Sequence, residues 1–370
     1  MKGKICHLTS AHRYTDGRIF YKECCSLAKE GYTVYLIAPN APNKIECEVQ
    51  IVGIYVNNKS RWFRMFILPK LIYKKARLID ADVYHFHDPE LLPLGLKLKR
   101  KGKKVIFDSH EDVPVFIRHK KYIWSLFRLI IAKLYNFYEA YVVHRLDAVI
   151  SVTPQIVDRL RKININTYQI TNYPIVSSND NLNVSCDRNI VFAGGVSPLW
   201  MHENIICSIK DIDINYVIAG KSSDDYLKIL QKLEGWNKVK YLGFISNSEV
   251  KTIYRTAIAG VAILGYSPIV GGKLGTLGNT KLFEIMEMGL PVVCTDFSLW
   301  KKIIDKWKCG VYVNPYNIEE IKQAILYLLD NPEIACEMGR NGRKAVLKEY
   351  NWMSQEQILY RLYSNLMPII

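Results

Sequence analysis

The sequence predicts an α/β protein whose strands form parallel, doubly wound sheets. Three observations carry this expectation. Short apolar runs do not alternate with polar residues, helical stretches separate those runs, and one central segment rich in Asn, Ser and Pro divides them into two sets. With 370 residues and 49% apolar content, the chain has room for two domains of ordinary size, each with its own core.

In the first set, Lys4 to Thr9, Thr33 to Pro39, Glu48 to Tyr55, Val83 to His87, Lys104 to Asp108 and Ala148 to Val152 read as strands. A helix is expected from Ile19 to Glu30, closed by Gly31, and a basic, aromatic helix from Arg61 to Ile79. The segment Asn172 to Asp187 reads as a linker. The second set places strands at Asn189 to Phe192, Asn215 to Ala219, Lys238 to Leu242, Gly260 to Leu264, Pro291 to Cys294 and Gly310 to Val313. Helices are expected at Ser246 to Ala257, at Ile318 to Leu329 and from Glu333 onward, with an amphipathic last segment from Ser354 to Met367. The domains are thus expected at 1–175 and 188–350, followed by a C-terminal helix at 351–370.

The stretch Ser267 to Asp296 combines a glycine-rich loop (Gly271, Gly272, Gly275, Gly278), a short helix beginning near Asn279 and a buried strand. Free amides and the positive dipole end at such a helix start suit a phosphate. Glu284, one turn on, can accept two hydrogen bonds from a ribose diol. Phosphate and diol together describe a nucleotide site; an ordinary crossover with Asn279 as N-cap and Glu284 on the surface is the other reading of that spacing.

The segment NTKLFEIMEMGLPVV resembles its counterpart in the retaining GT-B glycosyltransferases of family 4 (glycosyltransferase group 1). The resemblance covers nearly the whole chain and implies two tandem Rossmann-like domains with a cleft between them, and a last helix crossing back to the first domain. It implies that Glu284 holds the ribose of a nucleotide diphosphate sugar, UDP- or GDP-linked, and that Asn279, Thr280 and Lys281 lie near its diphosphate. Thr276 stands where the family carries a second glutamate toward the transferred sugar.

VFAGGVSP supplies the glycine turn Gly194–Gly195, but the family's arginine and lysine clamp is missing from Val196 to His202. Lys221, after the strand end Ile218 to Gly220, is the first replacement, with Lys273 and Lys281 behind it. Gly243, Phe244 and Ile245 either line a base pocket, as the family implies, or form a generic turn.

In the first domain, SAHRYTDGR and the pattern D-x-R-I-F-x-K-E (Asp16 to Glu23) resemble the family opening. Asp16 either joins the site or caps the helix, and Arg18 is either a cleft residue or a surface charge. FDSHED (Phe107 to Asp112) resembles the D-x-H-E/D signature, which brings His110 to the donor sugar. Glu111 either positions an acceptor hydroxyl or anchors the loop. His110, Glu111 and Asp16 are therefore the candidate catalytic residues. YHFHDPE places His85, His87 and Asp88 at a strand's end. Two nitrogens alone make a poor metal site, so no metal is expected, and His87 and Asp88 are assigned to the acceptor side.

The formal charge of +15 is uneven. Residues 1–175 hold 29 Lys+Arg against 15 Asp+Glu, a net +14, while the remainder holds 21 against 20. The basic excess accompanies exposed-looking aromatics in two segments. Lys59 to Arg77 carries Trp62 and Arg64, and Arg118 to Tyr138 carries Lys120, Lys121, Trp124 and Arg128. Basic, Trp-bearing amphipathic helices suit an anionic membrane surface. No nucleic-acid module accompanies the charge, so nucleic acid is not expected as a partner.

No secretory signal and no transmembrane helix are expected, and nine scattered cysteines without a C-x-x-C pair read as reduced thiols. The near matches to D-x-D, Asp80/Asp82 and Asp211/Asp213, precede strands, in keeping with the family's metal-independent, cofactor-free transfer. The expected protein is a cytoplasmic glycosyltransferase, peripheral on the inner face of the cell membrane. It would move a hexosyl or N-acetylhexosaminyl group from a nucleotide diphosphate sugar to a hydroxyl of a lipid-linked saccharide, as in polysaccharide or O-antigen assembly. The alternatives are a nucleotide-sugar epimerase of the same fold or a non-catalytic nucleotide-sugar binding subunit.

Overall fold

The computed structural model describes residues 2–58, 60–120, 124–176 and 187–367. The chain divides into two compact units, Met1–Asn172 with Trp352–Ile370, and Tyr173–Asn351. Much of the segment read as a linker, residues 177–186, lies outside the described residues, and Tyr173 already belongs to the second unit.

In the first unit the strands are β1 (Lys4–Leu8), β2 (Thr33–Pro39), β3 (Lys44–Glu46), β4 (Val49–Ile54), β5 (Val83–Phe86), β6 (Lys104–Ser109), β7 (Ala148–Ser151) and β8 (Thr167–Gln169). They form one sheet in the order β3-β4-β2-β1-β5-β6-β7-β8. All neighbours are parallel except β3 and β4. The edge strands β3 and β8 were missed in the sequence. Three residues each, all but Thr167 exposed or partly so, carry too little apolar patterning to register.

Alternate residues of a strand face opposite sides of its sheet. Cys6, Leu8, Tyr84, Phe86 and Phe107 join the core on one side, while Ile5, Val83 and Ile106 join the other. His7 and His85, in register on β1 and β5, therefore share the side of Ile5 and Val83. That side is covered by the helix Trp352–Leu366, which buries Trp352, Leu359, Leu362 and Tyr363 against Ile19, Phe20 and Leu27. Fully burying each leucine contributes about 1.5–3 kcal/mol. Trp352 Nε1 also donates to Ser26 Oγ at 2.8 Å, and Thr171 N donates to Gln355 Oε1 at 2.9 Å.

The expected helix after β1 begins earlier and is wider: Gly17–Cys24 is a π-helix, followed by an α-helix at Cys25–Lys29. The expected helix Arg61 to Ile79 is two, Arg61–Phe66 and Leu68–Ile79, with Pro69 opening the second. Proline suits a helix's first turn because it has no N–H to leave unpaired.

The second unit holds β9 (Asn189–Ala193), β10 (Asn215–Ala219), β11 (Val239–Gly243), β12 (Ala259–Ala262), β13 (Val292–Thr295) and β14 (Gly310–Val313). All are parallel, in the order β11-β10-β9-β12-β13-β14. The order reverses between β9 and β12, and ligands of open α/β sheets gather beyond the strands' carboxyl ends at such a switch.

Candidate functional site

Beyond the carboxyl ends of β9 and β10 lies a pocket of about 650 Å³ within the second unit. Its floor is glycine for a steric reason. Gly220 sits at φ +146°, and a Cβ there would stand 1.6 Å from the carbonyl oxygen of Gly194. The two strand ends are laced together by Gly194 N donating to Ala219 O at 2.8 Å and Val196 N donating to Lys221 O at 2.9 Å. Gly243, at φ +65°, accepts from Gly220 N at 2.6 Å, so it fixes the turn while Phe244 and Ile245 line the pocket.

Of the residues expected at a donor, Gly194, Gly195, Lys221, Phe244, Ile245, Lys281 and Glu284 meet on this one pocket. Lys221 lies over the Phe244 ring, 5.0 Å from its centroid. Lys281 pairs with Glu284 across one turn, and Thr280 Oγ1 donates to Glu284 Oε1 at 2.5 Å. Glu284 is one-third exposed, so its carboxylate is held in place yet open to a ligand.

Four expected contacts are arranged differently. The helix begins at Lys281 and has seven residues, and Asn279 Oδ1 accepts from Lys281 N at 3.0 Å, so the helix start offers fewer free amides than the sequence promised. Asn279, Thr280 and Gly243 support the lining rather than form it, and Thr276 Oγ1 accepts from Gly278 N at 2.9 Å, away from the pocket. Sequence reasoning missed Lys251, Tyr254 and Glu287, which also line it. The helical spacing of Lys251 and Tyr254 was the available signal, but nothing local says which helix face meets a pocket.

The first unit gathers a second constellation. Arg18, expected on the acceptor side or as a surface charge, is 4% exposed. Its Nε and Nη2 donate to the two Asp108 oxygens at 2.8 and 3.1 Å, and Nη1 donates to Ile170 O at 2.9 Å. It therefore anchors the end of β6 instead of meeting a ligand. Burial alone would raise the Asp108 pKa, but Arg18 and the hydrogen bond from His110 outweigh it, and the carboxyl is held well below its usual range. His110 Nε2 lies 2.8 Å from Asp108 Oδ2, which fixes a ring still partly open to solvent. Asp108, the first acid of the D-x-H-E/D motif, was given no role of its own because two of its partners, Arg18 and His87, lie on other elements.

Asp16 takes the capping role, accepting from Arg18 N and Ile19 N at 2.9 Å each. Asp88, expected to face an acceptor, is buried and accepts from Thr9 Oγ1 at 2.7 Å and Ser10 N at 2.6 Å, so it holds the loop after β1. His87 is buried as well, with Nδ1 3.4 Å from both Asp108 Oδ2 and His110 Nε2. Glu111 is exposed on the loop beside His110.

The assignment of only two nitrogens to the histidine motif is also corrected. His7 and Glu23, remote in sequence, join His85 and His87, and one ligand-type atom of each lies within 4.8 Å of the others. Burial keeps the histidines neutral: His87 is pushed down to about 4, and His7 and His85 well below the ordinary value. Burial pushes the Glu23 carboxyl well above its ordinary range against the pull of Arg18.

On the basic helices, Trp62 is 65% and Trp124 80% exposed. Arg64 Nε pairs with Glu90 at 2.9 Å, Lys120 is exposed and Arg128 is half-buried. Lys121 lies outside the described residues.

Two family models match the chain: "Glycosyltransferase Family 4" over residues 17–171 and "Glycosyl transferases group 1" over residues 186–345. The chain belongs to the group 1, family 4 glycosyltransferases. It is 26% identical over 172 residues to the uncharacterized glycosyltransferase MJ1607 of Methanocaldococcus jannaschii, covering 45% of this chain and 42% of that protein. The chain thus spans less than half the length of that relative. Among solved structures, sucrose-phosphate synthase from Thermosynechococcus elongatus is similar at a TM-score of 0.75 and 16% identity, covering 98% of both chains. HepE from Anabaena, crystallised with UDP-glucose, is similar at 0.71 and 13%, covering 98% of this chain and 100% of its own. Both likenesses are of fold, and the fold is GT-B. The eight described cysteines of this glycosyltransferase-family chain are free thiols, and none of its described helices is long and apolar enough to cross a membrane.

Proposed function

We propose that the protein transfers a sugar from a nucleotide diphosphate donor, UDP- or GDP-linked, to a hydroxyl of a saccharide acceptor, with retention and without a catalytic metal. The observation that carries this reading is the single pocket shared by the Gly194–Gly195 turn, Lys221, Lys281 and Glu284. Lys221, Lys251 and Lys281 supply the positive charge that a diphosphate needs, where the family's usual clamp is absent. The Glu284 carboxylate accepts the ribose hydroxyls, and Phe244 and Ile245 offer an apolar wall to the base.

In the reaction the bond from the anomeric carbon to the diphosphate oxygen breaks as the acceptor oxygen bonds to that carbon. The lysines stabilise the departing diphosphate, which takes the acceptor proton on a phosphate oxygen. The sugar passes through oxocarbenium character. His110, oriented by Asp108, contacts the transferred sugar, and Glu111 positions the acceptor hydroxyl.

Glu284→Gln is expected to weaken UDP- or GDP-sugar binding roughly 10- to 100-fold, since hydrogen bonds to a charged group contribute about 1.5–3 kcal/mol. Titration calorimetry reads this directly, and equal affinities for wild type and variant would remove Glu284 from the site. Donor consumption that requires an added acceptor separates transfer from epimerisation of the donor.

The acceptor is proposed to be lipid-linked and met at the inner face of a cell membrane, in polysaccharide or O-antigen assembly. Support comes from the helix Ser125–Val143, which exposes Leu126, Phe127, Leu129, Leu134 and Phe137, and from Arg61–Phe66, which buries none of its residues. Vesicles with anionic lipid should sediment the protein at low salt and release it near 1 M, where screening shortens to about 3 Å. Protein left in the supernatant at low salt would refute the membrane reading.

A further inference from the structure

We propose that His7, Glu23, His85 and His87 form a buried site for one zinc ion inside the first unit. The proposal does not depend on the transferase reading, because none of these residues lines the pocket described above.

The argument begins with spacing. Four ligands bound tetrahedrally at about 2.0–2.1 Å from one ion lie about 3.4 Å apart. Here His7 Nδ1 and His87 Nε2 are 3.1 Å apart. Glu23 Oε2 lies 3.9 Å from His7 Nδ1, 3.9 Å from His87 Nε2 and 4.0 Å from His85 Nδ1. These four separations run from 3.1 to 4.0 Å, and one ligand-type atom from each of the four residues lies within 4.8 Å of the others. Drawing the atoms onto one ion therefore requires the longest separations to close by up to about 1.4 Å.

Chemistry supports the same atoms. Three neutral imidazoles and one carboxylate are a donor set that suits zinc. Among the described residues, neither Glu23 oxygen accepts a hydrogen bond, and Arg18 Nε, 3.0 Å from Oε1, is not aligned to give one. His85 Nε2 likewise has no hydrogen-bond partner. An ion would take up the Oε2 lone pair that burial leaves unused and keep Glu23 ionised.

The surroundings complete the pattern. A metal-bound histidine donates its other N–H to a carboxylate or hydroxyl, which fixes the ring. With His87 Nε2 on the ion, Nδ1 faces Asp108 Oδ2 at 3.4 Å; with His7 Nδ1 on the ion, Nε2 faces Tyr363 Oη at 3.4 Å. Tyr363 Oη also lies 2.9 Å from His85 Nδ1, so binding there requires the hydroxyl to give up that contact. Glu23 reaches the cluster from the π-helix, a wide-turn geometry that recurs at functional sites.

The rival arrangement has no ion: Glu23 carries a proton shared with Asp108, and the imidazoles hydrogen-bond in a chain. The two are separated by metal analysis of the full chain expressed with added zinc and then desalted. About one zinc per chain is expected, falling at least tenfold in both Glu23→Gln and His85→Gln, and unchanged in His119→Ala, a surface control. Refolding the wild type in cobalt should give the visible absorption of a four-coordinate ion. Less than a tenth of an equivalent in the wild type, with no cobalt spectrum, overturns the proposal even if the variants do not fold. Zinc retained by both variants overturns it too, by placing the ion elsewhere.

Discussion

Arg18→Met is expected to lower the unfolding free energy by about 3–5 kcal/mol, the usual cost of leaving a buried charge without its partner. The cost arises because Asp108 is ionised in the folded protein and fully buried. Methionine fills much of the volume but cannot donate to either Asp108 oxygen or to Ile170 O. Urea denaturation measures the loss. Asp108→Asn in the same chain should recover part of it, since the neutral amide no longer needs the guanidinium. A loss below about 1 kcal/mol in the single variant, the range of exposed pairs, would show that Arg18 is not what holds the end of β6.

Acid is expected to destabilise the metal-free protein steeply below about pH 6.5. His7, His85, His87 and His202 are buried and neutral in the fold, with burial the main cause, and His202 is pushed down to about 3. Their folded pKa values lie below the unfolded one, so the unfolded state binds more protons. The stability they confer is fully present above about 6.5 and is lost as pH falls toward the folded values.

Neighbouring groups pull both ways. Asp108 favours protonation of His7, His85 and His87, while the three rings oppose one another and His110 opposes His87. Glu23, raised well above its ordinary value, works in the opposite sense and offsets one histidine. Three histidine equivalents at about 1.4 kcal/mol each per pH unit amount to roughly 4 kcal/mol per unit. Denaturation midpoints at pH 7.5, 6.5 and 5.5 test the sign and the slope; a midpoint independent of pH would mean that these rings are protonated in the fold.

The contrast between Arg18 and Lys221 shows what a sequence can reveal about such sites. Lys221 follows a buried strand and a glycine, a local arrangement that already places it at a strand's carboxyl end. Arg18 stands in an equally local motif, yet its partner Asp108 is 90 residues away. Its burial depends on how β6 and the π-helix meet. The same holds for Glu284, whose place on a short helix was legible, and for Thr276, whose loop turns it toward Gly278 by a bond that no spacing announces.

The sequence by itself determined every described strand but β3 and β8, the two sets of α/β elements and the glycine turns of the pocket, because apolar runs and steric demands act on neighbouring residues. Tertiary structure alone decided that His7, Glu23, His85 and His87 meet, that Asp88 and Arg18 turn inward, and that Tyr363 covers the cluster. Those outcomes depend on the register of β1 against β5 and on which helices cover that side of the sheet. Contacts between residues far apart in the chain are fixed by packing, and packing leaves no local mark on the residues it joins.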